Sequence, residues 1–251
     1  MTLEIKRLNL ASLQGPDGGT WPVHGFVVTH PGGAVLVDTG VGGPQDVLDD
    51  WRVVNRSVAD ALAELDMSPA DIGLVINTHL HFDHSGGNTY REDGRIVPTF
   101  PRASYVFQRR EWEDAIAPNE RTRGSYFPDD YAPLEAAGKL DLLDESVEIL
   151  PGVRLDRVQG HTRGTQTVRV TDRDTTLFFS SDFMPDRHHL PLPWIPAFDL
   201  FPLDTLAAKK LILRRAIDER WIVGFTHDLP RFGRIVETEG KLRFDELAGV
   251  E

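Results

Sequence analysis

The sequence NTHLHFDHSGG, residues 77–87, places four potential metal ligands within six positions, directly after the apolar run Ile72–Ile76. The apolar run predicts a short buried strand, so the ligands follow the end of a strand. Residues two apart in an extended segment project to the same side, and the first two histidines can therefore bind one ion together. A turn after Phe82 would direct the other two side chains towards a second ion. The four candidate ligands are His79, His81, Asp83 and His84.

The surroundings of this cluster favour metal binding over a chance grouping of surface histidines. The chain has nine histidines, and three of them lie in this stretch beside an aspartate. Gly86 and Gly87 predict that the backbone passes close to the site, where a Cβ atom would obstruct. Cysteine is absent from the sequence, which excludes disulfides, thiolate catalysis and cysteine-ligated zinc. Any metal must therefore be held by histidine and carboxylate.

The composition places the chain among folded, acidic proteins. Its 251 residues are enough for a large hydrophobic core, and 39 acidic against 27 basic residues give a net charge of −12. Such a charge repels phosphate backbones and anionic lipids, so we expect no nucleic-acid or membrane partner. The first residues lack the apolar core of a signal peptide, and no run approaches the roughly 18 apolar residues of a membrane span. The sequence therefore predicts a cytoplasmic protein.

The predicted elements come as two batches of strands, each accompanied by helices. This order predicts the α/β class, with two β-sheets facing each other and helices outside, a four-layer αββα sandwich. We expect the first strands to form an antiparallel meander, and Ser57 to cap a helix. We also expect one domain over residues 1–251. Two irregular segments interrupt it: residues 118–138, a lid or a surface excursion, and the proline-rich loop 184–202.

A helix is predicted at residues 203–221, where apolar side chains recur at helical spacing. Its charged residues are interpreted as a solvated basic face. These residues are Lys209, Lys210, Arg214 and Arg215.

Three further candidate ligands follow apolar runs in the second half of the chain. A polar side chain at the end of a strand is held on a rigid element and faces a cleft. Each residue alone would be better explained as a structural histidine or a capping aspartate. Their presence alongside the cluster at residues 79–84 favours a shared metal site. The three residues are His161, Asp182 and His227.

Together these motifs resemble those of the metallo-β-lactamase superfamily. The pattern HxHxDH at residues 79–84, the sequence GHTRGTQT from Gly160, the aspartate of SSDF and the histidine of FTHD occur in the order of that family. Asp38 in VLVDTG matches the family's first motif, an aspartate that closes a strand before a glycine. The match extends from Val35 to Asp228. It implies the αββα fold that the order of strands also predicts.

The resemblance implies a centre that holds two divalent ions. Zinc is the expected metal, and the same donors also accept iron, manganese or cobalt. Asp38 and Thr162 are implied to orient the ligands. The implied ligands of the first ion are His79, His81 and His161, those of the second are Asp83, His84 and His227, and Asp182 bridges both.

Such a centre predicts the hydrolysis of an ester-like bond. Two ions lower the pKa of a bridging water to give hydroxide, and one ion can polarise a carbonyl or phosphoryl oxygen. Asp83 is a candidate to take and return a proton. The segment from Ser181 to Asp228 resembles YtnP-type quorum-quenching N-acyl-homoserine lactonases and related organophosphate hydrolases. The resemblance implies a lactonase, with an organophosphate triester or aryl ester hydrolase as the alternative.

One feature of many lactonases is missing from this sequence. They carry a tyrosine shortly after the bridging aspartate, whereas Asp182 is followed by Phe-Met-Pro. We expect His188 or His189 to supply the missing hydrogen-bond donor, and a solvent-facing pair is the alternative. Four aromatic residues are predicted to line an apolar substrate pocket, with ordinary packing beneath the loop as the alternative. They are Tyr126, Phe183, Trp194 and Phe198.

Other classes of protein stay open on the sequence. A thioesterase would need a basic pocket for its thiol cofactor, and the sequence shows no clear signal of such a pocket. A di-iron redox protein would need a flavin domain or a flavin-containing partner. A binding protein would use its metal only to stabilise the fold. No dinucleotide loop, phosphate loop or G-x-S-x-G motif occurs. The expected partners are a small-molecule ester or lactone and, from the resemblance, a second copy of the chain in a homodimer.

Overall fold

The computed structural model describes residues 4–14, 18–229 and 232–247. Two compact units lie within Leu3–Leu143 and Asp144–Glu251, and each combines one seven-stranded sheet with helices. Both units thus have the α/β character that the sequence predicted. Among the described residues, no helix is both long and apolar enough to span a membrane. The single domain stays a prediction.

The sheet of the first unit has the strand order β4-β1-β2-β3-β5-β8-β9. Its first three strands form the predicted antiparallel meander, and β3, β5, β8 and β9 are parallel. The strands β6 and β7 form a separate hairpin. The elements are β1 (Glu4–Gln14), β2 (Thr20–Thr29), β3 (Ala34–Val37), α1 (Gln45–Asp50), β4 (Val54–Asn55), α2 (Val58–Ala63), β5 (Ile72–Ile76), α3 (Phe82–Ser85), β6 (Thr89–Glu92), β7 (Arg95–Pro98), β8 (Ser104–Gln108), α4 (Arg109–Ile116), α5 (Ala132–Ala136) and β9 (Leu140–Leu143).

The core of the first unit explains why these segments adopt their structure. Alternate residues of the strands and the apolar face of α2 are buried together, because burial of apolar surface drives the packing. Ser57 caps α2 as predicted, since its Oγ accepts a hydrogen bond from the backbone N–H of Asp60. Tyr126 and Tyr131 are also buried in this core, and the Tyr131 hydroxyl donates to the carbonyl of Ala115 at 2.6 Å. The burial of these two side chains therefore packs the segment 118–138 against the core.

The sheet of the second unit follows the order of the chain, from β10 to β16. All neighbouring strands are antiparallel except β13 and β14, which are parallel and separated in sequence by α6. Parallel neighbours end at the same edge of a sheet, so the residues that follow β13 and β14 lie close together. The elements are β10 (Val147–Leu150), β11 (Val153–Arg157), β12 (Gln166–Asp172), β13 (Thr175–Phe179), α6 (Pro202–Asp218), β14 (Ile222–Gly224), β15 (Gly233–Thr238) and β16 (Lys241–Glu246).

The basic face predicted for the long helix needs one correction. Lys210, Arg214 and Arg215 on α6 are exposed, as expected, but Lys209 is fully buried. Its ammonium group donates hydrogen bonds to backbone carbonyls of the proline-rich loop, and these bonds replace the water that a surface lysine would contact.

Asp130 gives the first unit a pH-dependent stability. Its Oδ1 accepts a long hydrogen bond of 3.4 Å from Gly43 N, and its buried Oδ2 has no hydrogen-bond partner among the described residues. Burial raises the pKa of this carboxyl from 3.8 to about 7. The folded state binds the proton more tightly than the unfolded state. The tighter proton binding of Asp130 in the folded state therefore adds fully to the free energy of unfolding below pH 3.8. This contribution is lost as the pH rises to about 7.

We expect Asp130→Asn to gain stability relative to the wild type on going from pH 5 to pH 8. The gain is on the order of 2 kcal/mol, because the variant has no buried carboxylate to form. Urea unfolding of both proteins across this pH range measures it. Glu135→Gln, at an exposed position of α5 in the same unit, is the control and should follow the wild type. Parallel stability curves for wild type and Asp130→Asn would show that this carboxyl is not protonated in the folded protein.

Candidate metal centre

The first unit brings its four predicted ligands together at the end of β5. The rings of His79 and His81 have centroids 4.6 Å apart in an edge-to-face arrangement, and the His79 and His84 centroids are 4.0 Å apart. The short helix α3 carries the other two ligands, with His84 Nε2 3.7 Å from Asp83 Oδ2. His79 and His84 are buried, whereas His81 and Asp83 are partly exposed. The cluster therefore presents imidazole nitrogens and a carboxylate towards one face of the unit.

Asp38, which the resemblance implies orients the ligands, contacts the loop that carries these candidate ligands. It follows β3, whose parallel neighbour β5 leads into the ligand loop. One of its oxygens accepts from Thr78 N at 2.7 Å, and the other contacts Thr78 Oγ1 at 2.8 Å and His84 Nδ1 at 2.9 Å. Because a carboxylate accepts the proton of Nδ1, the Nε2 atom of His84 keeps its lone pair for a metal. Asp38 thus fixes both the loop and the tautomer of one ligand.

Two glycines allow the close backbone approach that the sequence predicted. A Cβ atom on Gly86 would overlap the backbone of Gly42, and one on Gly87 would overlap the carbonyl of Thr39. The approach is closed by hydrogen bonds from Gly86 N to the carbonyl of Gly40 and from Thr39 N to the carbonyl of His84. Side chains at these positions would therefore displace the ligand loop.

Glu111 is a buried residue of this site that the sequence did not reveal. Its Oε1 accepts a hydrogen bond from Leu80 N at 2.9 Å and another from the Tyr126 hydroxyl at 2.8 Å. The ring of Tyr126 packs 4.8 Å from that of His81, and burial raises the pKa of this phenol well above its usual value. Tyr126, predicted as a pocket residue, is thus a buried donor that contacts a candidate ligand. The charge pattern of α4 is that of any surface helix, so it gave no signal for Glu111.

The second unit places its three predicted ligands around one carboxylate. Asp182 follows β13 and His227 follows β14, so the parallel strands bring them to one edge of the sheet. The Oδ1 atom of Asp182 lies 3.1 Å from His227 Nε2, and its Oδ2 atom lies 3.5 Å from His161 Nε2. Each oxygen therefore faces a different imidazole. That is the arrangement of a carboxylate able to bridge two ions.

Asp199 orients one of these imidazoles and was not predicted. Its Oδ1 lies 3.2 Å from His161 Nδ1, and its Oδ2 accepts a hydrogen bond from the hydroxyl of Thr205 on α6 at 2.5 Å. Thr162, predicted for such a role, shares a 2.8 Å hydrogen bond between its hydroxyl and that of Thr165. The carboxylate that sets the tautomer of His161 thus comes from 38 residues further along the chain.

The remaining predicted residues lie in the proline-rich loop, apart from Phe183, which directly precedes it. His188 is exposed, while His189 is partly buried with its Nδ1 2.8 Å from Asp186 Oδ1. Trp194 and Phe198 are 59% and 41% exposed. Phe183 is buried in the core of the second unit. The catalytic and pocket roles of these residues stay predictions.

The donors of the two units suit a metal of intermediate softness. The first unit offers three imidazoles and one carboxylate, the second offers two imidazoles and one carboxylate, and the sequence contains no thiolate. Zinc, iron, manganese and cobalt all accept this set, whereas calcium and magnesium prefer oxygen donors alone. The carboxylates that face His84 and His161 at Nδ1 leave Nε2 free of a proton in both. The residues present thus fit a transition-metal site.

Comparison with known proteins gives consistent relatives. A family model described as the metallo-beta-lactamase superfamily matches residues 18–227. The N-acyl homoserine lactonase AttM of Rhizobium radiobacter is 32% identical over 146 residues, which are 52% of this chain and 51% of that protein. The match thus spans about half the length of that relative. The N-acyl homoserine lactonase AiiA of Bacillus thuringiensis subsp. kurstaki is 24% identical over 224 residues, covering 83% of this chain and 82% of that protein.

Solved structures resemble the chain over nearly its whole length. A probable metal-dependent hydrolase from Staphylococcus aureus has a TM-score of 0.87 at 22% identity, with 99% of this chain and 98% of that chain covered. AidC, described as a dizinc quorum-quenching lactonase in complex with a product, has a TM-score of 0.81 at 18% identity, with 99% and 96% covered. At these identities the likeness establishes the fold.

Proposed function

The chain belongs to the metallo-β-lactamase superfamily, and we propose that it is a metal-dependent hydrolase that opens the ring of an N-acyl-homoserine lactone. Its α/β fold is the one that the sequence predicted. The observation that carries the proposal is the position of Asp182, whose two oxygens face two different imidazoles. The relatives named as N-acyl homoserine lactonases supply the substrate class.

The proposed centre combines the ligands of the two units on two divalent ions. Its support is that the first unit offers two pairs of ligands, while the second offers two imidazoles on either side of one carboxylate. In the proposed centre, each pair of ligands from the first unit is joined by one imidazole of the second unit, and both pairs share the carboxylate of Asp182. His79, His81 and His161 would hold the first ion, Asp83, His84 and His227 would hold the second, and Asp182 would be shared between them.

The chemistry follows from what these residues do around a bound substrate. Two bound ions supply Lewis acidity, which activates water and polarises the ester carbonyl. Asp83 is partly exposed and would take the proton of the attacking water and return it to the departing alkoxide. Asp38 and Asp199 keep two imidazoles in one tautomer throughout. His188, which is exposed, or His189, whose Nδ1 lies 2.8 Å from Asp186 Oδ1, would donate a hydrogen bond to the developing oxyanion.

A substrate panel with measured metal content tests the proposal. We expect N-acyl-homoserine lactones to be hydrolysed faster than aryl esters, phosphotriesters and thioesters, with one proton released for each ring opened. Chelation should lower the rate by at least about 100-fold, and added Zn²⁺ should restore it. Phosphotriesters as the preferred substrate would move the assignment to the alternative hydrolase, which uses the same ligands. Lactone hydrolysis that persists in fully metal-free protein would contradict the proposal.

Three further predictions concern the protein rather than its chemistry. A homodimer, zinc as the native ion and a cytoplasmic location all follow from the sequence and its resemblance to lactonases. Metal analysis of the purified protein tests the ion, and sedimentation tests the dimer.

A further inference from the structure

Lys209 is a fully buried lysine in the second unit, 0% exposed. Its Nζ donates to the backbone carbonyls of His189, Pro191 and Trp194 at 2.5, 2.8 and 2.8 Å. All three acceptors lie in the proline-rich loop, from the last residue of the turn Arg187–His189 onwards and before α6. One side chain thus binds a six-residue stretch of loop at both of its ends.

The chemistry of this contact argues that the loop needs the lysine. Burial of an ammonium group is costly, and desolvation lowers the pKa of Lys209 to about 8. An apolar residue at the same position of α6 would avoid this cost. Between His189 and α6 the loop has three prolines, at 191, 193 and 196, which donate no hydrogen bonds, so fewer backbone donors are available to its carbonyls. The ammonium group supplies three donors from one point.

The same face of α6 also supports a candidate metal ligand. Thr205 lies one helical turn before Lys209 and donates to Asp199, which faces His161 Nδ1. Backbone hydrogen bonds from Leu200 N to His161 O and from Phe201 N to Gly160 O tie the end of the loop to the segment of that histidine. The loop and the ligand therefore rest on consecutive turns of one helix.

We propose that Lys209 is a positioning residue, which holds the proline-rich loop so that Asp199 stays against His161 and Trp194 and Phe198 are presented at fixed positions. The proposal rests on the proposed function, because it assigns those exposed aromatic side chains to the recognition of the acyl group of the substrate. Lys209 itself is buried beneath the loop, so it acts through the loop and touches no substrate.

Lys209→Met tests the proposal, because methionine keeps the length of the side chain and removes its donors. Lys210→Met, at the exposed neighbouring position of the same helix, is the matched control. We expect hydrogen exchange of the Trp194 and Asp199 amides to accelerate by at least about 100-fold in Lys209→Met, because both bond within the loop. We also expect the affinity for Zn²⁺ to fall about 10-fold, and KM for long-chain lactones to rise about 10-fold with a smaller change in kcat.

A second variant separates loop positioning from general destabilisation. Val170→Ala removes a buried side chain of β12 in the same unit. It should lower the melting temperature without changing loop exchange or KM. If Lys209→Met does not fold, hydrogen exchange of the loop amides in the wild type still tests the proposal. Loop amides that exchange as fast as those of an unstructured peptide would overturn it.

The outcomes distinguish this proposal from that of the function. Loop exchange and Zn²⁺ affinity are measured without any substrate. Changed exchange and affinity in a protein that hydrolyses no lactone would support the positioning role and reject the lactonase. Unchanged exchange and affinity, together with normal lactone hydrolysis, would overturn the positioning role alone.

Discussion

Asp182→Ala is expected to lower kcat/KM for lactone hydrolysis by at least about 1000-fold, equivalent to roughly 4 kcal/mol of transition-state stabilisation. The reason is that one carboxylate faces both His161 and His227, with its two oxygens at 3.5 and 3.1 Å from their Nε2 atoms. If it bridges two ions, its removal weakens both sites together. Steady-state kinetics alongside metal analysis measures the effect, and we expect the metal content to fall from two ions towards one or none.

Asp182→Asn refines this result, and Asp174→Ala controls for it. Asparagine keeps the shape of aspartate but replaces one carboxylate oxygen with an NH2 group, which donates hydrogen bonds. Only its remaining oxygen can therefore act as a metal ligand. We expect its metal content to resemble that of the alanine variant, with better retention of the fold. Asp174 is an exposed carboxylate of the same unit, and its loss should change neither quantity. Wild-type activity and two bound ions in Asp182→Asn would exclude the bridging role.

The local part of the site could be predicted because its information is local. The spacing of His79 and His81 requires only an extended backbone, and Gly86 and Gly87 are explained by the backbone atoms that a Cβ would meet. Strand ends are also visible in sequence, since an apolar run stops where a polar residue begins. Asp182 and His227 were found in this way, and the parallel pairing of β13 and β14 brings them to one edge.

The partners of these ligands could not be predicted because they come from distant segments. Glu111 accepts from Leu80, 31 residues earlier, and Asp199 faces His161, 38 residues earlier. Neither residue differs in sequence from a charge on a surface helix or loop. The burial of Lys209 could not be predicted for the same reason. Helical spacing alone does not show which charged residue of a helix faces a loop and which faces water. Such residues are fixed by tertiary contacts.

The missed strands have a different cause. The strand β16, with sequence KLRFDE, alternates but is mostly exposed, so little hydrophobic signal marks it. It forms because the turn at Glu239 and Gly240, both with positive φ, returns the chain alongside β15. The hairpin of β6 and β7 likewise has no buried residue. Strands at the rim of a fold are held by pairing rather than by burial, and their residues need not be apolar.

Asp38→Ala is expected to destabilise the protein by about 3 kcal/mol and to lower its affinity for Zn²⁺ by about 10- to 100-fold. The variant leaves three buried groups without their acceptor, namely Thr78 N, Thr78 Oγ1 and His84 Nδ1. Asp38 also has a φ of 55°, a left-handed conformation that aspartate tolerates better than alanine. Chemical unfolding and competition with a zinc chelator measure the two effects.

Asp38→Asn separates the structural role of this residue from its effect on the metal. Asparagine also tolerates the left-handed backbone, and its carbonyl can still accept from Thr78 N. Its amide group would then face His84 Nδ1 as a donor, which moves the imidazole proton to Nε2 and blocks that atom as a ligand. We therefore expect most of the stability to return while the Zn²⁺ affinity stays low, with the changed tautomer visible in the ¹⁵N shifts of the imidazole. Recovery of both quantities would mean that Asp38 supports the loop without setting the tautomer of His84.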